Sequence, residues 1–217
     1  MNRTFYDRIG KRWLDASCAI LGLLVISPVF VFTAILIRLT SSGPVFFRQE
    51  RIGQMGRRFR IFKFRTMTWA GFTRGNLITA NDDPRITFLG RFLRRAKIDE
   101  IPQLLNVLRG EMSFVGPRPE VPEYAATYSY WQKRALMARP GITGPAAIAF
   151  VNEEDILARQ IDKDAFYRTT LLPAKLDLDL AYCENIRFQT DLKLLVKTFV
   201  RLFDIRRPLN RPVHRQE

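Results

Sequence analysis

The sequence predicts a mostly helical α+β protein with a membrane element at its N-terminus, and three observations carry that expectation. Residues 16–37 contain no charged side chain. Two β-prone runs, residues 45–53 and 59–67, flank a short basic linker. From residue 87 onward, apolar residues recur at helical spacing, punctuated by Gly and Pro. Residues 1–42 are then a re-entrant, helix-break-helix membrane hairpin. Residues 43–205 form a small cytosolic domain with one β-hairpin and several amphipathic interfacial helices, and residues 206–217 are a basic tail.

The uncharged run has the roughly 20-residue length of a membrane helix. It is too long for a cleavable leader, and no small-residue cleavage site follows it. Ser27-Pro28 divides it into halves of about ten residues, each about 15 Å long. Arg3, Arg8, Lys11 and Arg12 precede the run, and Arg38, Arg48, Arg51, Arg57 and Arg58 follow it. Positive charge favours the cytoplasmic side, so two basic flanks favour entry and exit on one face. A proline-kinked spanning helix is the alternative. In the hairpin, backbone groups freed at Pro28 can be met by the Ser27 hydroxyl.

A net charge of +14 over 217 residues calls for an anionic partner: lipid headgroups, phosphorylated substrates or nucleic acid. The two cysteines, Cys18 and Cys183, make no disulfide framework, and Cys18 lies in the apolar run. His214, the one histidine, falls in the polar tail, so histidine catalysis and histidine metal clusters are not expected.

Ser41-Ser42-Gly43-Pro44 ends the apolar segment, and the β-hairpin after it places Lys63 and Arg65 on one face. Basic residues interleaved with aromatics can bind single strands. No established nucleic-acid-binding pattern accompanies them, so nucleic acid is not expected as a partner. Residues 71–81 read as a polar loop. Thr87 caps an amphipathic helix through Phe88, Leu89, Phe92 and Leu93, with Arg91, Arg94 and Arg95 at its border. Such a helix suits a membrane interface.

The chemistry concentrates in Arg94-Arg95-Ala96-Lys97-Ile98-Asp99-Glu100-Ile101-Pro102-Gln103. Pro102 fits a first helical turn, which places a helix start at roughly residues 99–101. Asp99 and Glu100 then sit at a helix end that also attracts phosphate. Gly110 is a natural helix stop. Arg118, held between Pro117 and Pro119, loses little entropy on gripping an oxyanion.

Taken together, several stretches resemble the monotopic phosphoglycosyl transferases, a family of bacterial sugar transferases. They are Lys11-Arg12-Trp13-Leu14-Asp15, Ser27-Pro28, Lys63-Phe64-Arg65-Thr66-Met67, Ile98-Asp99-Glu100-Ile101-Pro102-Gln103-Leu104, the stretch from Asn106 to Pro119, and Arg139-Pro140-Gly141-Ile142-Thr143-Gly144. The resemblance implies transfer of a sugar 1-phosphate from a UDP-sugar to undecaprenyl phosphate (a polyprenyl phosphate), with release of UMP, as the first membrane step of glycan assembly. It implies Mg²⁺, a re-entrant membrane hairpin in the phospholipid bilayer, and location at the cytoplasmic face of the bacterial inner membrane. By position, Asp99 resembles the nucleophile and Mg²⁺ ligand and Glu100 its partner carboxylate. Lys63, Arg65, Arg94, Arg118 and Arg139 fall on the phosphate and substrate side. A homodimer, or association with downstream glycosyltransferases, is the further partner expectation. The alternative is a non-catalytic basic scaffold of a glycan-assembly complex.

Two departures stand out. Residues 145–154 do not match the family pattern, which leaves the sugar open. Lys97 stands where the family often has Ser or Thr, so a local cap is missing. Downstream, residues 124–138 read as helical, residues 141–145 as a turn, and residues 155–182 as two helical stretches around Pro173. The amphipathic run with Lys193, Lys197 and Arg201 packs either on the core or on lipid.

Overall fold

A computed structural model of the chain describes residues 4–68 and 83–203. The expected loop over 71–81 and the tail over 206–217 lie outside the described residues. A π turn, Tyr6–Gly10, leads into helix α1, Lys11–Thr40. This helix is continuous through Ser27-Pro28, so the expected break does not interrupt the helix. Pro28 has no N–H for the Leu24 carbonyl; the Ser27 hydroxyl donates to that oxygen instead, at 2.8 Å.

Helix α1 is long and apolar enough to cross a membrane, and only 11% of its apolar stretch is buried. The core helix of a soluble protein would be mostly covered. Leu21, Leu24, Val25, Phe32 and Ile35 are exposed along one side, a contiguous apolar surface that water does not favour. The opposite stripe meets the body along the whole helix. Lys11 pairs with Asp191, Ala19 packs with Leu104 and Val107, and the Phe30 ring centre lies 4.9 Å from that of Phe64. Ile37 packs with Phe64 and Leu93.

Strands β1, Phe46–Ile52, and β2, Arg58–Phe64, form the expected antiparallel hairpin. Its turn uses positive φ at Met55 and Gly56. The free edge of β2 is closed by Asn106, whose Oδ1 accepts from the Phe62 N–H at 2.9 Å and whose Nδ2 donates to the Arg60 carbonyl at 2.8 Å. One buried amide thus supplies both partners that a third strand would. Helix α2, Phe88–Arg95, starts where its cap predicts: Thr87 Oγ1 accepts from the Gly90 N–H at 2.9 Å. Gly90 lies against the Thr66 carbonyl, and a Cβ there would stand 2.0 Å from that oxygen.

After α2 the chain departs from the expected helix start. Lys97 takes the left-handed conformation, φ 56°, with no side-chain cap, and reverses the chain. Asp99 and Glu100 therefore lie on a short 3₁₀ turn, Ile98–Glu100. Helix α3, Gln103–Arg109, begins only beyond Pro102 and ends at Gly110, φ 78°. The Arg12 guanidinium donates to the last carbonyls of α3, those of Val107 and Leu108, at 2.5 and 2.6 Å.

Strands β3, Ser113–Val115, and β4, Gly141–Thr143, pair in parallel. This corrects the turn expected over 141–145: three-residue strands are too short for alternation to register. Gly116 permits the pairing, since a Cβ there would lie 2.3 Å from the Arg139 carbonyl. Between the strands, α4, Pro122–Ala125, and a 3₁₀ turn, Gln132–Met137, replace the single helix expected over 124–138. There follow α5, Pro145–Ala149, α6, Glu153–Ala158, and α7, Lys163–Phe166. A π turn, Tyr167–Leu171, joins α7 to α8, Leu172–Glu184, with Pro173 in the first turn of α8. Helix α9, Phe188–Phe203, closes the described chain. Val121, Tyr124, Leu157, Leu171, Leu176 and Leu180 form the main core behind these helices.

Candidate active site

One cavity of about 800 Å³ lies where β2, the Asp99-Glu100 turn, the Arg118 loop and α6 converge. It is lined by five of the residues singled out in the sequence: Lys63, Arg94, Asp99, Glu100 and Arg118. Cations outnumber carboxylates around it, so the cavity suits an anion.

The two adjacent carboxylates differ in kind. Glu100 Oε1 accepts from Lys63 Nζ at 2.7 Å and from Arg118 Nη2 at 3.1 Å. Burial opposes its ionisation, but the charges of Lys63, Arg118 and Lys97 prevail and hold the carboxyl well below the usual range. Asp99 is 7% exposed, and its Oδ1 is buried without a hydrogen-bond partner. Burial pushes its pKa up; Lys63 opposes the rise and the charge of Glu100 adds to it. A carboxylate left unbonded inside a protein is costly unless a ligand completes it. Glu100 is thus a fixed anchor for two cations, while Asp99 is a poorly solvated carboxyl with an oxygen that no protein group meets.

The same observation serves as a test of metal fit. Among the described residues, no group of three or more His, Cys, Asp or Glu side chains could hold a metal ion. Mg²⁺ in phosphate chemistry needs only one or two carboxylates, with phosphate and water filling the other positions. The free Asp99 oxygen fits that requirement.

The Arg118 backbone is braced from behind. Its N–H donates to Asp179 Oδ2 at 3.2 Å, and the Ala146 N–H donates to Oδ1 at 3.2 Å. Burial lifts the Asp179 pKa to about 7, against the pull of those two N–H groups. Arg94 pairs with Glu154 of α6, so the segment that departs from the family pattern touches a cation on the cavity wall.

Arg65 and Arg139 do not line the cavity. β2 ends at Phe64, and beyond it the Arg65 side chain turns to the end of α1. There it donates to the Ser41 and Ser42 carbonyls, both at 2.7 Å, and to Ser41 Oγ at 2.6 Å. It therefore does not share a face with Lys63 and fastens the end of α1 to the hairpin. Arg139 lies near Arg12 and Asp15.

Several cavity residues carried no earlier assignment. Lys175 Nζ bonds Glu120 at 3.2 Å, Tyr167 at 2.9 Å and Glu153 at 3.2 Å. A signal for it existed: Lys175 and Asp179 share a stripe with Leu172, Leu176 and Leu180, and a charge on an apolar stripe has a partner inside. Arg201 also lines the cavity, although its spacing after Lys193 and Lys197 suggested only a basic helix face.

Cations arranged around two inequivalent carboxylates, beside an apolar helix, are the equipment of a phosphoryl-transfer enzyme. The sequence pattern of the bacterial sugar transferase family matches residues 6–204, and the chain belongs to that family. Sugar transferase EpsL of Bacillus subtilis is 40% identical over 188 residues, covering 87% of this chain and 84% of that one. The UDP-N-acetylgalactosamine-undecaprenyl-phosphate N-acetylgalactosaminephosphotransferase of Aeromonas hydrophila is 37% identical, over 72% of this chain and 38% of that one. The UDP-glucose:undecaprenyl-phosphate glucose-1-phosphate transferase of Escherichia coli K12 is 35% identical, over 91% and 41% respectively. The chain thus spans about two fifths of the length of those two phosphotransferases.

Proposed function

We propose that this protein transfers a sugar 1-phosphate from a UDP-sugar to undecaprenyl phosphate, releasing UMP, by way of an acyl phosphate that joins the sugar phosphate to Asp99. The observation that carries the reading is the buried, unbonded Asp99 carboxylate beside a Glu100 that holds Lys63 and Arg118 in place. In the first step an Asp99 oxygen attacks the phosphorus that bears the sugar. The bond to the bridging oxygen breaks, and UMP departs with that oxygen. In the second step an oxygen of the lipid phosphate attacks the same phosphorus, and the Asp99 carboxylate is restored. Splitting the transfer lets a soluble donor and a lipid acceptor use one site in turn, with Asp99 as nucleophile in the first step and leaving group in the second. Lys63 and Arg118, fixed before substrate arrives, meet the charge that develops on the phosphoryl oxygens. Mg²⁺, when bound, supplies neutralisation of the diphosphate charge; Asp99 would hold it.

The membrane reading rests on α1. Its contacts with the body run from Lys11 to Ser41, both ends included. A helix leaving the body to cross the bilayer would touch it at one end. Contact at both ends, with basic flanks on each side, supports a helix that enters and leaves on the cytoplasmic face of the bacterial inner membrane. Bending at Pro28 needs no unsatisfied carbonyl, because Ser27 already covers Leu24.

The test is UMP release from a panel of UDP-sugars by the full chain in detergent or nanodiscs. Release that needs Mg²⁺, that passes one UMP per protein only when polyprenyl phosphate is present, and that vanishes in Asp99→Asn while the variant stays folded, is the expected result. Full activity of that variant would refute the assignment.

A further inference from the structure

Helix α9 presents large apolar side chains outward, beside the exposed Lys193 and Lys197. Leu192, Val196, Phe199 and Val200 are exposed, whereas Asp191 is buried against Lys11 and Tyr182. One face is thus fixed to the body by Asp191, Leu194 and Thr198, and the other offers hydrocarbon outward, as on α1. The Thr198 hydroxyl donates to the Leu194 carbonyl at 2.8 Å, which leaves its oxygen to accept from the Thr143 hydroxyl at 2.7 Å. Three residues on, about one turn, Arg201 lies on the cavity wall.

Arg201 differs from the other cavity arginines. Arg118 is held by Glu100, Arg94 by Glu154, Arg85 by Asp83 and Arg51 by Gln49 and the Pro119 carbonyl. Among the described residues, Arg201 has no acceptor and no ring contact. A partly buried guanidinium with no counter-charge of its own is available to an arriving anion. The parallel strands that α9 packs against bring Phe114 and Ile142 to the same cavity, and Ile26 from α1 and Leu104 from α3 extend its apolar lining. A cation with hydrocarbon around it, between two helices whose outer faces suit lipid, matches an anion carried on an apolar chain.

We infer that Arg201 binds the phosphate of the lipid acceptor, and that the polyprenyl chain lies on the side of the cavity lined by Ile26, Leu104, Phe114 and Ile142. The identity of the acceptor rests on the proposed function; the binding of a lipid phosphomonoester does not. The nucleotide donor falls to the opposite side, where Lys63, Arg94 and Arg118 already stand in fixed positions. Arg201 brings the acceptor oxygen to the cavity that holds Asp99.

The test has a kinetic arm and a binding arm, both on the full chain in detergent micelles. In kinetics, Arg201→Ala raises KM for polyprenyl phosphate by about tenfold or more, the loss of one charged hydrogen bond. KM for the UDP-sugar stays within about twofold, and Arg201→Lys restores part of the loss. In binding, the wild type prefers labelled polyprenyl monophosphate to neutral polyprenol and to a phospholipid of the same micelle, and Arg201→Ala loses that preference. Loss of preference in the variant, with no turnover by any protein, would defeat the proposed function and leave the Arg201 site standing. An unchanged preference in Arg201→Ala, a raised UDP-sugar KM in its place, or equal binding of bulk phospholipid by the wild type would overturn the inference.

Discussion

Replacing Glu100 by Gln removes the one negative charge that both Lys63 and Arg118 contact, at 2.7 and 3.1 Å. Hydrogen bonds to charged groups contribute about 1.5–3 kcal/mol each, and the amide oxygen keeps a weaker acceptor in the same place. Lys63 and Arg118 retain 20% and 33% side-chain exposure, so water screens part of the loss. The net cost is about 2 kcal/mol, or a fall in Tm of about 4–8 °C for a chain of this size. The gap has a pH signature. Glu100 is held below its ordinary value of 4.5, so its contribution is present above that pH and disappears as the folded carboxyl protonates below it. The difference in Tm between wild type and variant should therefore close in acid. Catalysis shifts as well. Glu100 raises the Asp99 pKa, so its neutralisation lowers it, and the acid limb of UMP release moves to lower pH. With the two cations no longer fixed, turnover falls by at least about tenfold. Thermal unfolding and UMP release, each followed across pH, read both effects. A variant with wild-type Tm and an unmoved acid limb would show that Glu100 does not organise the site.

Three further expectations separate scaffolding from chemistry. Arg65→Ala deletes three hydrogen bonds to Ser41 and Ser42 and should cost about 2–3 kcal/mol while leaving the UDP-sugar KM unchanged; a raised KM with intact stability would return Arg65 to the substrate site. In Asp179→Asn the carboxyl that titrates near 7 is gone. Its folded pKa is raised from 3.8, so the wild type loses stability as pH climbs from there towards about 7, and the variant does not. The stability gap between the two should narrow from pH 5 to pH 8, and a gap independent of pH contradicts the buried-charge account. Single cysteines at residue 2 and just after residue 40, in a chain lacking its own two, should label from the cytoplasmic side only. Labelling from opposite sides would make α1 a spanning helix.

Much of the fold was legible because local rules decided it. Thr87 and Gly110 bound their helices as their side chain and conformation dictate, and the hairpin follows from its alternation. The Ser27 hydroxyl covers the carbonyl that Pro28 leaves open. The rest depended on contacts between distant residues. A three-residue parallel pairing, Ser113–Val115 with Gly141–Thr143, has no periodic trace; its only sign is glycine at positions where backbones meet. The start of α3 was displaced by one residue, Lys97, whose left-handed turn a sequence pattern does not expose. At the site, the pairing of Asp99 with Glu100 was visible as adjacency, and their inequivalence was not. It arises because Lys63, from a strand 37 positions before Glu100, and Arg118 both turn to Glu100 and leave Asp99 alone. Arg65 was misplaced because the second β-prone run, expected over 59–67, ends as a strand at Phe64. Lys175 and Arg201 reach the cavity only through the packing of α8 and α9.

The central claim is that an oxygen of Asp99 bonds to phosphorus during turnover. Incubating the full chain with UDP-sugar and Mg²⁺ but no lipid acceptor, quenching, and mapping the added mass by peptide mass spectrometry addresses it directly. The account predicts one sugar phosphate on Asp99, formed with stoichiometric UMP and discharged when polyprenyl phosphate is added. An adduct on another residue, or turnover with no adduct at saturating donor, would contradict it.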